Sequence, residues 1–372
     1  MKIDDKTSHN SPSLRFPEFT GEWERCVLGD VLEFSNTRIN SSELNSGNYV
    51  STENILQNFQ GIVKARSIPE DTNVMAFSCG NILLSNIRPY LKKVWKATFN
   101  GGCSSDVFVL QANSNIDADY LHYVVANDKF IGFVMNGAKG VKMPRGDKNQ
   151  MKTYSLSLPS IKEQRKISRF LSFLDERIAV QSRLIDRLQS LMIGIRHRII
   201  NEAKGKIVCL CEVSDIYQPQ TISSADLTET GYPVYGANGI IGHYTSYNHE
   251  AEQVCITCRG NTCGGVNYTK SKSWITGNAM VVNVDRYQNI VSKRYLYHYL
   301  SNCDFNSIIS GSGQPQIVRA PLAKFKIILP TVMQQYKIAH CLDVIQNKIN
   351  VNSNILNLLI RQKQYLLRKM FI

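Results

Sequence analysis

The stretch from Ser160 to about Ala203 limits what this chain can fold into more than any other. Ile167, Leu171, Leu174, Ile178, Gln181, Ile185, Leu188, Met192, Ile195 and Ile199 form one series, stepping by alternating fours and threes. That is the spacing of a seam on a long helix packed along a partner helix. Charged residues fill the sites between, and only Gly194 interrupts the run. A helix of roughly 40 residues, on the order of 60 Å, follows. A surface helix of a compact domain seldom runs so far, so this one reads as a spacer or half of a coiled coil.

The partner lies in the same chain. Leu158-Pro159-Ser160 opens the first run, and Leu329-Pro330-Thr331 opens a second. At an offset of 171, from Gln164 to Gln335, the seam recurs as Ile338, Leu342, Ile345, Ile349, Asn352, Leu356, Leu359, Lys363, Leu366 and Met370. In an antiparallel pair of mirror register, Gln181 faces Leu356 and Asn352 faces Ile185. Both amides then sit near the middle, where a buried amide fixes register at some cost in stability. Lys363 fits the seam badly and is expected to snorkel out from a frayed end.

The segments between the helices repeat as well. Apolar strand patterns at 81–85 and 107–110, a helical pattern at 119–125, a Gly-rich basic loop at 136–145 and a strand at 154–158 return in the same order. Their counterparts are 253–259 for 81–88, which sets Arg259 against Arg88, then 278–282, 294–298, 311–317 for 140–145, and 326–330. A period this long is a domain duplication and not a solenoid. The expected fold is mixed α/β: a domain at 1–158 with a loose arm at 1–22, a helix at 159–204, a second domain at 205–329 and a second helix at 330–372. The two duplicated domains are separated by two long antiparallel coiled-coil helices.

Of the 372 residues 43% are hydrophobic and 20% charged, ordinary for a folded chain, but the net charge is +13. Such a balance suits a polyanion, nucleic acid before others. No stretch has the apolar length of a membrane span, and the polar N-terminus lacks a signal-peptide core. Ten cysteines without a signal read as reduced cytosolic thiols.

Catalytic motifs are missing. There is no Gly-x-x-x-x-Gly-Lys-Ser/Thr phosphate loop and no Asn/Asp-Pro-Pro-Tyr/Phe segment of the kind amino-methyltransferases carry. The glycines at 236–242 are out of order for a dinucleotide site and read as a turn-rich loop. Cys255, Cys258 and Cys263 with His243 and His249 could be drawn as a zinc site. However, Cys255 and Cys258 lie on an apolar strand facing opposite sides, so they read as buried thiols and no metal is expected.

What remains is a binding surface. Arg88 and Arg259 each follow a strand directly and open a loop; Tyr90, Lys92, Lys93 and Lys96 lie in the first loop, Asn261, Lys270 and Lys272 in the second. The Gly-rich loops add Lys139, Lys142, Arg145 and Lys148 in one copy, and Gln314, Gln316 and Arg319 in the other. Lysines of this kind neutralise phosphates, whereas Arg, Gln and Asn on loops can pair with guanine and adenine edges. Tyr235 and Tyr244 beside Asn238 could pack on a sugar or an unstacked base.

With these residues in view, the chain resembles the specificity subunits of type I restriction–modification enzymes. The resemblance spans nearly all of it. It rests on the segment from Leu14 to Trp23, on Lys142-Met-Pro-Arg-Gly-Asp-Lys148, and on the duplicated Leu-Pro-x-x-x-x-Gln-x-x-Ile helix openings. The second opening has Met333-Gln334 where the first has Lys162-Glu163, which leaves its polar network open. The family implies two target-recognition domains, each reading half of a bipartite double-stranded DNA site, with the helix pair as a ruler. It also implies two docked modification subunits that use S-adenosylmethionine and restriction subunits that use ATP and Mg2+. This chain would bind no cofactor, catalyse nothing, and work in a bacterial cytoplasm away from membranes. Leu184, Leu191, Ile355 and Leu358, off the seam, are candidates for partner contact or for thickening the helix core. The alternative is a coiled-coil scaffold joining two protein-binding modules that never touch DNA; a self-sufficient methyltransferase would need a cofactor pocket that the sequence does not show.

Overall fold

Both seams are helical. In the computed structural model, which describes residues 11–237, 239–311 and 313–372, the first is one 42-residue helix, Ile161–Glu202, and the second a 39-residue helix, Val332–Met370. The second opens with a capping box: the Thr331 N–H donates to Gln334 Oε1 at 3.2 Å and the Gln334 N–H to Thr331 Oγ1 at 3.4 Å. In the first helix Ser160 accepts from the Glu163 N–H, but the Glu163 carboxylate turns elsewhere.

The chain divides into two compact units, Met1–Val180 with Leu356–Ile372, and Gln181–Ile355. Each unit therefore holds one globular domain and a segment of both long helices.

In the first unit a four-stranded antiparallel sheet runs in the order Leu32–Phe34, Val107–Ala112, Ile82–Ser85, Val94–Lys96. Alternate residues face opposite ways. Ile82, Leu84, Phe108 and Leu110 share a core with the helices Ala118–Val125 and Asp128–Asn136 and with Ile167, Leu171 and Leu174 of the first long helix. Leu83, Val107 and Val109 face Val50, Phe77, Trp95 and Cys103 on the other side. Two buried faces explain why these strands read as unbroken apolar runs. Leu359, Leu366, Leu367 and Met370 of the second long helix, with Phe371 just past its end, close the first of these cores.

Two expectations are corrected in this unit. The arm is not loose over residues 13–18. The Leu14 N–H donates to the Lys369 carbonyl at 3.0 Å, and Arg15 makes a bidentate pair with Glu163, both contacts 2.7 Å. Phe16 stands edge-on to Phe170, and Lys166 pairs with Glu18. Pro12 and Pro17 deny the arm regular structure, yet its side chains still dock. Lys363 does not snorkel away either: it pairs with Asp175 over the ring of Tyr123, whose hydroxyl donates to the same carboxylate at 2.8 Å.

Beside that network His122 is half-buried, and its Nδ1 has no partner among the described residues. Burial, then the nearby Lys363 charge, lowers its pKa from 6.5 to about 4. A depressed folded-state value means the stability held above pH 6.5 is lost as pH falls toward 4. Unfolding titrated over that window is expected to show a loss on the order of 1–3 kcal/mol that His122→Gln removes. A variant with an unchanged pH profile would assign the loss to other groups.

The second unit repeats the sheet as Asp215–Tyr217, Ala279–Asn283, Val254–Thr257, Val266–Tyr268, again antiparallel. Val254, Ile256, Met280 and Val282 share a core with the helix Lys293–Leu300 and with Ile200 and Ala339 of the long helices. Cys255, Ala279 and Val281 face Tyr235 and Ile275 instead. Gln181, at one end of its helix segment here, meets Asn352 near the opposite end of the other, so the segments run antiparallel. Its Nε2 donates to Asn352 Oδ1 at 2.7 Å and to the Asn352 carbonyl at 3.0 Å. The mirror register, which put Leu356 opposite Gln181, is thus corrected: Gln181 donates to Asn352, whose own Nδ2 donates to the Lys348 carbonyl at 2.6 Å.

The helix openings are tied down alike. Gln164 accepts from the Asp117 N–H at 2.8 Å and donates to the Pro159 carbonyl at 2.9 Å. Gln335 accepts from the Ser292 N–H at 2.8 Å and donates to the carbonyls of Pro330 and Ile290, at 2.9 and 3.0 Å. Both glutamines are buried, so the polar network survives in the second copy despite Met333-Gln334.

Candidate nucleic-acid interface

The two Gly-rich loops are built on one backbone plan used twice. In the first unit the Asn86 N–H donates to the Asp106 carbonyl, the Gly146 N–H to Asn86, and the Arg88 N–H to Pro144. Lys139 and Arg145 exchange both backbone hydrogen bonds at 2.9 Å, closing a hairpin over residues 140–144. In the second unit Cys258 donates to Asn278, Ile317 to Cys258 and Gly260 to Pro315, and Ser310 pairs with Gln316. Each Gly-rich hairpin is thereby stitched to the loop that follows the central strand.

This pairing corrects an equivalence. Arg88 and Gly260, not Arg259, hold matching places, and both have left-handed backbone, φ 52° and 83°. The conformation is easy for glycine and costs about 1 kcal/mol at Arg88. Arg259 corresponds to Ile87, since each bridges the hairpin, to Gln316 and Arg145 respectively.

Arg88, Tyr90 and Lys142 are exposed in the first unit, with no side-chain partner among the described residues. Lys139 and Arg145 carry pairs with Asp147 and Asp106 at 3.0 and 3.1 Å. In the second unit Arg259, Asn261 and Gln314 line an open cleft of about 660 Å³ with Gly260, Thr262 and Pro315. Gln316 sits beside it, in strand pairing with Ser310.

Other residues expected at the surface are engaged by neighbours or set apart from the loops, for physical reasons the sequence hides. Lys93 donates to the Thr52 carbonyl at 2.5 Å, and desolvation lowers its pKa. Lys92 and Lys96 pair with Asp128 and Asp119. Those acids are exposed, so a phosphate can compete for both lysines. Lys148 lies over the rings of Phe34 and Phe108. Tyr235 is buried and its hydroxyl accepts from the Lys270 N–H, so its ring is closed to a base. Tyr244 stands edge-on to Trp274, and Asn238 lies outside the described residues. Arg319 Nε donates to the Ile216 carbonyl at 2.7 Å, a structural use of the guanidinium. Lys272 lies 3.8 Å from Glu250, and Lys270 is exposed in a separate cleft with Tyr268, Tyr297 and Arg294. Val141 and Met143, which no sequence motif marks for binding, are both exposed at the first hairpin's tip.

Burial pushes the Cys255 thiol up to about 12, and the Cys258 Sγ lies 3.5 Å from the Gly277 carbonyl. Among the described residues no three His, Cys, Asp or Glu side chains cluster as a metal site, and no helix is long and apolar enough to cross a membrane.

Residues 20–190 and 203–361 each match the type I restriction modification DNA specificity domain, and the chain belongs to that family. The Escherichia coli type I restriction enzyme EcoprrI specificity subunit is 31% identical over 148 residues, 38% of this chain and 36% of that protein. The EcoDI specificity subunit of the same species is 33% identical over 93 residues, 25% of this chain and 20% of its own length. The chain thus spans about a third of the first relative and a fifth of the second. The crystal structure of a type I restriction–modification S subunit from M. genitalium superposes with a TM-score of 0.69 at 16% identity, covering 97% of this chain and 99% of that one. A chain from a structure of type I complex assembly and conformational transition gives a TM-score of 0.55 at 19% identity, covering 94% and 97%. At such identities the likeness is one of fold.

Proposed function

We propose that this chain is the sequence-specificity subunit of a bacterial type I restriction–modification complex, and that each globular domain reads one half of a bipartite double-stranded DNA site. The observation that carries this is the stitched hairpin and loop, repeated on two family-matched domains. It presents Arg88, Tyr90 and Lys142 in one copy and Arg259, Asn261 and Gln314 in the other. Lysine contacts to phosphate set position; arginine and the amides pair with base edges. The helix pair sets the gap between half-sites, and the Gln181–Asn352 amide pair holds its register. Leu184, Leu191, Ile355 and Leu358, all exposed, receive modification subunits, which supply S-adenosylmethionine and methylate. Restriction subunits using ATP and Mg2+ join through them in the cytoplasm, and this chain does no chemistry itself.

Selection of duplexes from a random pool by the full-length chain is the test. Two short blocks at a fixed gap are expected, with log affinity falling linearly against log salt, by about 0.9 per phosphate neutralised. One helical turn inserted after Gln181 lengthens the gap and leaves both blocks unchanged. No retained duplex at low salt would leave a scaffold for protein-binding modules as the better account.

A further inference from the structure

The hairpin at 139–145 has an unusual tip. Val141 is fully exposed (103%) and Met143 half-exposed (47%), two apolar side chains within three residues. Single exposed apolar residues need no explanation, but these are bracketed by Lys139, Lys142 and Arg145, and the Arg88 loop is bonded to the hairpin through Pro144. Asp147 and Asp106 answer Lys139 and Arg145, whereas Lys142 has no partner among the described residues.

The second unit supplies an internal comparison. Gly140 and Gly311 open the two tips with φ of 95° and 89°, and the rims 139/145 and 310/316 carry the same pairing. The tip chemistry differs: Lys142-Met143-Pro144 stands against Gly313-Gln314-Pro315, with a polar, exposed Gln314 in place of Met143.

We infer that the first unit recognises thymine by apolar contact of Val141 and Met143 with its C5-methyl, while the second unit's tip recognises a base edge through the Gln314 amide. The inference rests on the DNA-reading role proposed above and adds the base class each tip takes. The thymine methyl is the apolar group on the major-groove edge of the bases, and an amide matches adenine N6 and N7. Cations flanking the apolar tip suit an anionic polymer that carries methyl groups between its phosphates. An anionic membrane would also suit cations beside an apolar tip, but the matching rim in the second unit carries no such tip.

Uracil in place of thymine deletes the methyl alone, so it isolates the proposed contact. The full-length chain is titrated with its selected duplex and with versions carrying uracil at each thymine in turn. At one or two positions of one half-site, uracil is expected to weaken binding about fourfold per buried methyl. The V141S/M143Q variant is expected to lose that sensitivity and to keep its preference at the other half-site, which reports that it is folded. Sequence-selective binding indifferent to uracil everywhere, or a variant that stays sensitive, overturns the inference and leaves DNA reading intact. Retention on anionic vesicles with no duplex selected overturns both.

Discussion

Gln335→Leu is expected to destabilise the second unit by about 2–5 kcal/mol. Leucine is close in size, so the loss comes from hydrogen bonding and not from a cavity. Two buried backbone groups, the Ser292 N–H and the Pro330 carbonyl, lose their partner at once, and so does the partly exposed Ile290 carbonyl. Each unsatisfied buried group costs about 1–3 kcal/mol. Water cannot readily replace the amide, because Gln335 is fully buried. Urea unfolding of the full-length chain measures the effect. Gln164→Leu is the graded comparison, because Gln164 serves only the Asp117 N–H and the Pro159 carbonyl, and it should cost less. A loss below about 1 kcal/mol for Gln335→Leu would mean that the joint between domain and helix is held by packing alone.

Arg15→Ala is expected to cost a similar about 3–5 kcal/mol, for a different reason. It strands the Glu163 carboxylate, 1% exposed, with no counter-charge in place of a bidentate guanidinium at 2.7 Å. Removing one partner of a buried pair is far more damaging than removing both. The double variant R15A/E163Q should therefore recover most of the loss, because a neutral amide is cheaper to leave there than a carboxylate. Thermal unfolding gives the four corners of the cycle, and limited proteolysis of residues 11–22 reports whether the arm lifts. If R15A alone is silent, or E163Q fails to rescue it, the arm is held by Phe16 and Leu14 and not by the ion pair.

The helices, the duplication and the order of strands were legible because each leaves a period in the sequence. Seam positions such as Leu171, Ile185, Leu342 and Leu359 are buried as their spacing requires, while Ile178, Leu188, Ile345 and Leu356 are half-buried. The register of Gln181 against Asn352 was not legible. Heptad spacing leaves the axial offset of two helices open by a turn, and here the hydrogen bond between the amides decides it. Nor could the fate of loop side chains be read locally. Lys93 and Arg319 find backbone carbonyls at Thr52 and Ile216, and Lys363 finds Asp175, through contacts between distant segments. Tyr235, beside Asn238 in sequence, is expected to pack on a sugar or base, yet its strand lies against Ile275 and Cys255. The docking of the arm was not legible either, because prolines signal a lack of regular structure and say nothing of packing.

Both hairpin rims are closed by main-chain groups, so the side chains between them carry almost none of the folding energy. Surface changes away from packed or strained positions usually shift stability by less than about 0.5 kcal/mol. Val141, Lys142, Met143 and Gln314 can therefore be exchanged with little risk of unfolding, while Gly140 and Gly311 cannot, because their positive φ strains any other residue. If these tips read DNA as proposed, a lineage carrying this scaffold is free to alter its taste in sequence by a few codons, long before it nears the edge of foldability.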